Sequence, residues 1–169
     1  MPGTTGSVGR LHVTTPGERE LCLSRSFAAS RRAVFECWTS PALLRRWLTG
    51  PEGWQMVACE VELRPGGAYR FAWRHAEGQE IAMGGTWREV EPPARLVGTQ
   101  LFDPDPGGGE ILSTLELSDQ DGRSLVVNRL LYPSRAARDG ALAGGMTQGV
   151  VANCERLDGV LASLAAGAA

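Results

Sequence analysis

Five tryptophans stand at positions 38, 47, 54, 73 and 87, and with Tyr69, Phe71, Met56 and Met83 they are the densest chemical signal in the chain. Aromatic side chains fill ordinary cores, so each one taken singly reads as packing. As a set on alternating strand positions they read as the wall of a pocket for an apolar ligand. Residues suited to acid–base or metal work are fewer and poorly placed. Glu60 and Glu62 share one strand face opposite apolar neighbours, so they point to water and not to a reaction centre. Glu89, two residues from Trp87, reads as structural. Asp103-Pro104-Asp105 ahead of three glycines has the composition of a turn, not of a cation site. His12 and His75 are the two histidines, one in the N-terminal segment and one at a hairpin end. A zinc site or a hydrolytic triad would rest on His75 alone, which reads as a surface residue. Arg70, Arg74 and Arg88 take the parity opposite Phe71 and Trp73 and read as a solvated convex face. A single-strand nucleic-acid platform would mix basic and aromatic groups on one face, which this alternation does not do. Gln148 and Asn153 are the polar residues placed to touch a ligand from the C-terminal helix.

Composition narrows the chemistry further. All 17 basic residues are arginine. Without lysine there is no Schiff-base lysine, no phosphate-loop lysine and no Ser–Lys dyad. The chain contains no H-E-x-x-H, no G-x-S-x-G and no G-x-G-x-x-G leading into a helix. No residue pattern calls for a metal or other cofactor. The formal charge of -2 and a pI near 5.7 give no general attraction to nucleic acid or to an anionic membrane. Cys22, Cys37, Cys59 and Cys154 have no paired spacing and are expected as free thiols, which points to a reducing compartment such as the cytoplasm. No stretch approaches the roughly 20 apolar residues of a membrane helix. Residues 1–17, rich in Gly, Thr and Pro without an apolar run, are expected as a mobile tail and not a signal peptide. Residues 18–169 are then one domain, since 169 residues suit a single core.

The elements that must position the aromatics follow from periodicity. Glu20–Phe27 alternates Leu21, Leu23 and Phe27 against polar residues, a half-buried strand. Ser30 caps a helix over Arg31–Thr39, and Pro41 starts a second short helix through Leu48. From Trp54 the period becomes 2, with Val57, Cys59, Val61 and Leu63 on the apolar side; Trp54 and Met56 then face outward unless the strand is bulged. Pro65-Gly66-Gly67 is a hairpin turn, followed by a strand carrying Tyr69, Phe71 and Trp73. Further strands are expected over Glu80–Val90, Arg95–Phe102, Glu110–Leu117 and Ser124–Leu131, separated by turn sequences. Gly84-Gly85 marks a bulge or a close backbone approach. After Ser134 comes a short helical piece. Met146, Val150, Cys154, Leu157, Leu161 and Leu164 then recur at three and four, a helix over Met146–Leu164 about 28 Å long. One antiparallel sheet of about six or seven strands, wrapped around that helix, buries both apolar faces most simply.

The order of these elements, and particular residues within them, resembles the helix-grip fold of the START-related (SRPBCC) superfamily. The resemblance is to the bacterial branch named after the heat-shock-protein-90 ATPase activator homologues. It is carried by Arg25-Ser26-Phe27, Val34 through Thr39, Leu44-Arg45-Arg46-Trp47, Leu63 through Tyr69, Gly85 through Val97, and Leu157 through Leu161. The family commonly has Gly-Trp early in the long helix, where this chain has Gly149-Val150. The resemblance implies an α+β helix-grip domain with a cavity between a strongly curved sheet and the C-terminal helix. The residues expected around that cavity are Trp47, Tyr69, Phe71, Trp73, Met83, Trp87, Met146, Val150 and Asn153. The expected function is binding of a small apolar molecule there, with no catalysis required. Two alternatives stand beside it. One is an enzyme of the cyclase or hydratase kind using the same cavity. The other is a co-chaperone module whose partner is a heat-shock ATPase.

Overall fold

The computed structural model describes residues 5–8 and 10–167. Seven strands follow the alternation closely. They are β3 (Glu20–Phe27), β4 (Trp54–Val61), β5 (Ala68–His75), β6 (Glu80–Glu91), β7 (Arg95–Asp103), β8 (Ile111–Gln120) and β9 (Arg123–Leu131). Two more precede them, β1 (Thr5–Val8) and β2 (Leu11–Thr14). All nine form one antiparallel sheet in the order β1-β2-β3-β9-β8-β7-β6-β5-β4. Helices α1 (Arg31–Thr39) and α2 (Pro41–Trp47) fill the connection from β3 to β4. Helices α3 (Arg135–Ala143) and α4 (Met146–Gly167) end the chain. The fold is the α+β helix grip, with two strands more than the seven at most expected.

Local chemistry accounts for the helix starts. The Ser30 hydroxyl accepts from the Ala33 N–H at 3.2 Å, and that of Ser134 accepts from Ala137 at 3.1 Å. Each satisfies one of the orphan donors of a first turn, worth about 1 kcal/mol. Pro41 opens α2, where its missing N–H costs nothing. The inner face of α4 buries Cys154, Leu157, Val160 and Leu161. These meet Phe27, Val34, Phe35, Leu44 and Trp47 in the main core cluster.

The structure departs from the sequence expectation at two places that shape the molecule. The first is the supposed mobile tail, residues 1–17. Residues 1–4 and 9 lie outside the described residues, but β1 and β2 pair as a hairpin, and Val13 of β2 stands opposite Leu23 of β3. Leu11 is buried with Leu21, Leu23, Ile111, Leu130 and Tyr132. An alternation only four residues long, Leu11-His12-Val13-Thr14, carries too little period to stand out from coil, and the β1–β2 hairpin joins the sheet only once β3 is in place.

The second is the facing of β4. Met56 pairs with Trp73 and Ala58 with Ala72, so one extra residue, Val57, is accommodated in a bulge. The bulge reverses parity. Met56 packs against the core, Trp54 lies half-buried against the His75 ring at 5.2 Å, and Val57 is 39% exposed. Leu63, expected on the apolar side, lies beyond the strand and is 38% exposed.

At Gly84-Gly85, expected as a bulge or a close backbone approach, the structure takes the second alternative. Register is unbroken there and shifts instead between Trp87 and Glu89. What the glycines provide is close approach: a Cβ on Gly84 would come within 2.8 Å of the Tyr69 carbonyl oxygen, and one on Gly85 would overlap the Thr99 carbonyl.

Candidate functional site: a cavity between sheet and helix

A cavity of about 330 Å³ lies between the concave face of the sheet and α4. The structure brings all nine sequence-expected residues to its wall. Strand β5 contributes Tyr69, Phe71 and Trp73; β6 contributes Met83 and Trp87; α2 contributes Trp47; and α4 contributes Met146, Val150 and Asn153. Gln148 is exposed on α4 and takes no part.

The polar ends of three aromatic groups in the wall are tied to backbone. The Tyr69 hydroxyl donates to the Thr99 carbonyl at 2.6 Å, the Trp73 indole N–H to Leu48 at 2.8 Å and the Trp47 indole N–H to Cys37 at 2.9 Å. Tyr69 stacks on Trp87 with ring centroids 4.6 Å apart, and Trp38 packs on Trp47 at 4.7 Å. Trp87 is the exception: its indole N–H is shielded from solvent and has no acceptor. Burial pushes the Tyr69 phenol up, far from any proton exchange near neutrality.

Residues not singled out for the cavity from sequence complete the wall. Leu11 closes one part of it from β2, and Gln100, Ser113 and Asn128 come from β7, β8 and β9. Their signal was present: Ser113 and Asn128 interrupt the inward rows Ser113, Leu115, Leu117 and Val126, Asn128, Leu130. A polar residue at an apolar parity marks a place where a sheet face meets something other than packed core.

Arg25 is the charged residue of the lining, and its side chain is only 6% exposed. It donates to both carboxylate oxygens of Asp158 on α4, at 2.8 and 2.5 Å, and lies 4.7 Å from the centroid of the Phe27 ring. The pair clamps α4 to β3 across the middle of the fold. A second clamp runs from Arg156, which donates to the Asn153 side-chain oxygen at 2.8 Å and to the Gly50 carbonyl at 2.6 Å. Asn153 therefore lines the cavity with its oxygen already engaged.

The acid and metal candidates are accounted for elsewhere. Glu89 is exposed and pairs with Arg95 at 2.8 Å. Asp105 accepts from the backbone N–H groups of Gly107, Gly108 and Gly109, a turn. Glu60, Glu62, Arg70, Arg74 and Arg88 are exposed. Among the described residues no group of three or more His, Cys, Asp or Glu gathers at metal-binding distance.

Cys154 belongs to the cavity wall, and desolvation by burial pushes its thiol, like that of Cys37, up to about 11. Cys59 is raised for the same reason, and Cys22 is half-buried. At about pH 8 a disulfide exchange reagent is expected to label Cys22 in the folded chain and the other three only on unfolding. Since the folded state alone holds these thiols neutral, the contribution is intact below the ordinary thiol value of 9.0 and is lost as pH rises through about 11. Urea midpoints should therefore fall over that range, and less so in a Cys37→Ala, Cys154→Ala double variant.

Comparison with known proteins agrees with this architecture. A protein from Rhodobacter sphaeroides of known structure is 33% identical, with TM-score 0.85, covering 90% of this chain and 99% of its own. One from Nitrosomonas europaea is 25% identical, with TM-score 0.79 and the same coverages. One from Mycobacterium smegmatis, 19% identical with TM-score 0.78 and covering 94% and 97%, shares the fold. Nothing among curated proteins matches. The sequence profile of the family described as Activator of Hsp90 ATPase homolog 1-like protein matches residues 28–162. The chain belongs to that family, within the START-related, helix-grip superfamily.

Proposed function

We propose that this chain binds a small apolar molecule in the cavity between the sheet and α4. The observation that carries the reading is the lining itself. Aromatic rings, those of Tyr69, Trp73 and Trp47 with their polar ends tied to backbone, surround a space of about 330 Å³, within the range of small-molecule sites. A solid core would interdigitate at this place. Among the described lining residues there is no carboxylate or imidazole to move a proton, which weighs against the cyclase or hydratase reading. The family description names an ATPase activator, so a chaperone partner is the second reading. An apolar docking groove would support it, but the exposed large hydrophobics Val57, Leu63, Ile81, Leu101 and Leu131 are spread over four strands and one loop. No helix is long and apolar enough to cross a membrane.

Val150→Trp tests the reading. An indole placed where the family commonly carries one would occupy the cavity. Stability should change by less than about 1 kcal/mol, against a typical 1–3 for overpacking a solid core. Affinity for the neutral fluorophore N-phenylnaphthylamine should fall about tenfold or more, as expected when bound area is displaced. Strong destabilisation would show close packing at Val150. A stable variant with unchanged binding would place the probe elsewhere, and either result would reject the cavity as the site. Native mass spectrometry of the purified chain would identify what it retains.

A further inference from the structure

The concave face of the sheet is not uniformly apolar. On β7, β8 and β9, Gln100, Ser113 and Asn128 fall on a diagonal. Gln100 pairs with Ile111, two residues before Ser113, and Ser113 pairs with Leu130, two residues after Asn128. Diagonal neighbours of this kind lie within reach of one another's side chains. The diagonal continues on β3, where Leu23 faces Asn128 and Arg25 lies two residues on. Four adjacent strands thus carry a polar stripe along the wall of the same cavity that the aromatic cluster of β5, β6, α1 and α2 lines.

The bonding along the stripe is unfinished. The Ser113 hydroxyl donates to the Asn128 side-chain oxygen at 3.1 Å, which leaves the Asn128 amide N–H₂ as a donor. Among the described residues the Gln100 amide has no hydrogen-bond partner. Both residues are half-buried in the lining, where polar groups are retained at a cost unless something accepts from them. The charged end of the stripe is closed: both Arg25 terminal nitrogens are bonded to Asp158. A ligand carboxylate would have to displace Asp158 and leave it uncompensated.

Building on the proposed cavity function, we infer that the ligand class is uncharged: a flat apolar body bearing a hydrogen-bond-accepting oxygen, such as a ketone, with the oxygen met by one amide of the stripe, that of Asn128 or that of Gln100. The ring lies in the aromatic half and the oxygen reaches the stripe. The stripe then selects among molecules that the aromatic half alone would accept equally.

Three naphthalene fluorophores of one ring shape separate the possibilities: dimethylaminonaphthalene carrying an acetyl group, carrying a carboxylate, or carrying no second substituent. With the full chain, the ketone is expected to bind about tenfold more tightly than either of the others, the scale of one or two hydrogen bonds in a desolvated site. In an Asn128→Leu, Gln100→Met double variant the ketone should bind only as well as the unsubstituted ring. That ring's own affinity should stay within about threefold, since apolar area is retained. Thermal unfolding checks the fold. If the double variant does not fold, Asn128→Leu and Gln100→Met are read singly, and one of the two should lose about threefold for the ketone only. A carboxylate that binds as well as the ketone, no preference in the unaltered chain, or a preference that survives these substitutions would overturn the inference while leaving the cavity reading intact. Failure of all three and of N-phenylnaphthylamine to bind the unaltered chain would remove both.

Discussion

Gly85→Ala is expected to destabilise the chain by more than about 3 kcal/mol or to abolish soluble folding, the range reached when a rigid interior must open around added volume. The added Cβ would overlap the Thr99 carbonyl oxygen and come within 2.6 Å of its carbon, and both belong to the backbone of β7. No side-chain rotation relieves that contact. Thr99 is itself 5% exposed, and its carbonyl accepts the Tyr69 hydroxyl at 2.6 Å, so a shift of β7 also disturbs the cavity wall. Gly159→Ala is the control: its Cβ would meet nothing within 4 Å, and it lies exposed on α4. There the gain in helix propensity should stabilise by up to about 1 kcal/mol. Urea or thermal denaturation of both variants measures the contrast. Equal, small effects would mean that β6 and β7 are not held at this separation.

Asp158→Ala is expected to lower stability by about 3 kcal/mol, since removing one partner of a largely buried pair leaves the other without compensation. Arg25 is the partner left behind, 6% exposed at its side chain, with Asp158 itself 36% exposed. The loss should persist at high salt, where surface pairs such as Arg32–Glu36 are screened. Replacing both residues, Arg25→Met with Asp158→Leu, should recover much of it, because paired apolar side chains of similar volume need no desolvated charge. A double-mutant cycle gives the coupling. An Asp158→Ala variant within about 0.5 kcal/mol of the unaltered chain, the ordinary surface range, would show that the pair does not hold α4 to β3.

Much of this architecture is legible in the sequence because long elements carry redundant signals. The helix over Arg31–Thr39 has Ser30 before it and Pro41 after it, and the strand Glu20–Phe27 has eight residues of alternation; both coincide with the observed elements. The nine cavity residues could be named in advance because they sit on such elements and the fold's resemblance says which face is inward. Where a single residue changes parity, local reading fails. Val57 is an ordinary β-branched strand residue, and only its mismatch with Trp73 and Ala72 across the ladder makes it a bulge. Leu11 is one leucine in a polar segment, and its burial depends on Leu21, Ile111 and Tyr132 arriving from distant parts of the chain.

The sequence by itself determined the element order from β3 onward, the Ser30 cap, the free thiols as an expectation, and the exclusion of lysine-dependent chemistry. All of these depend on residue type or on spacing within one element. Only the tertiary structure decided which polar residues face the cavity. Gln100, Ser113 and Asn128 lie on three strands, and their diagonal exists only in the register between those strands. The same holds for the Arg25–Asp158 clamp, whose members are 133 residues apart. A contact between distant positions leaves no period in the chain, since its partner is chosen by the packing of sheet on helix and not by neighbours in sequence.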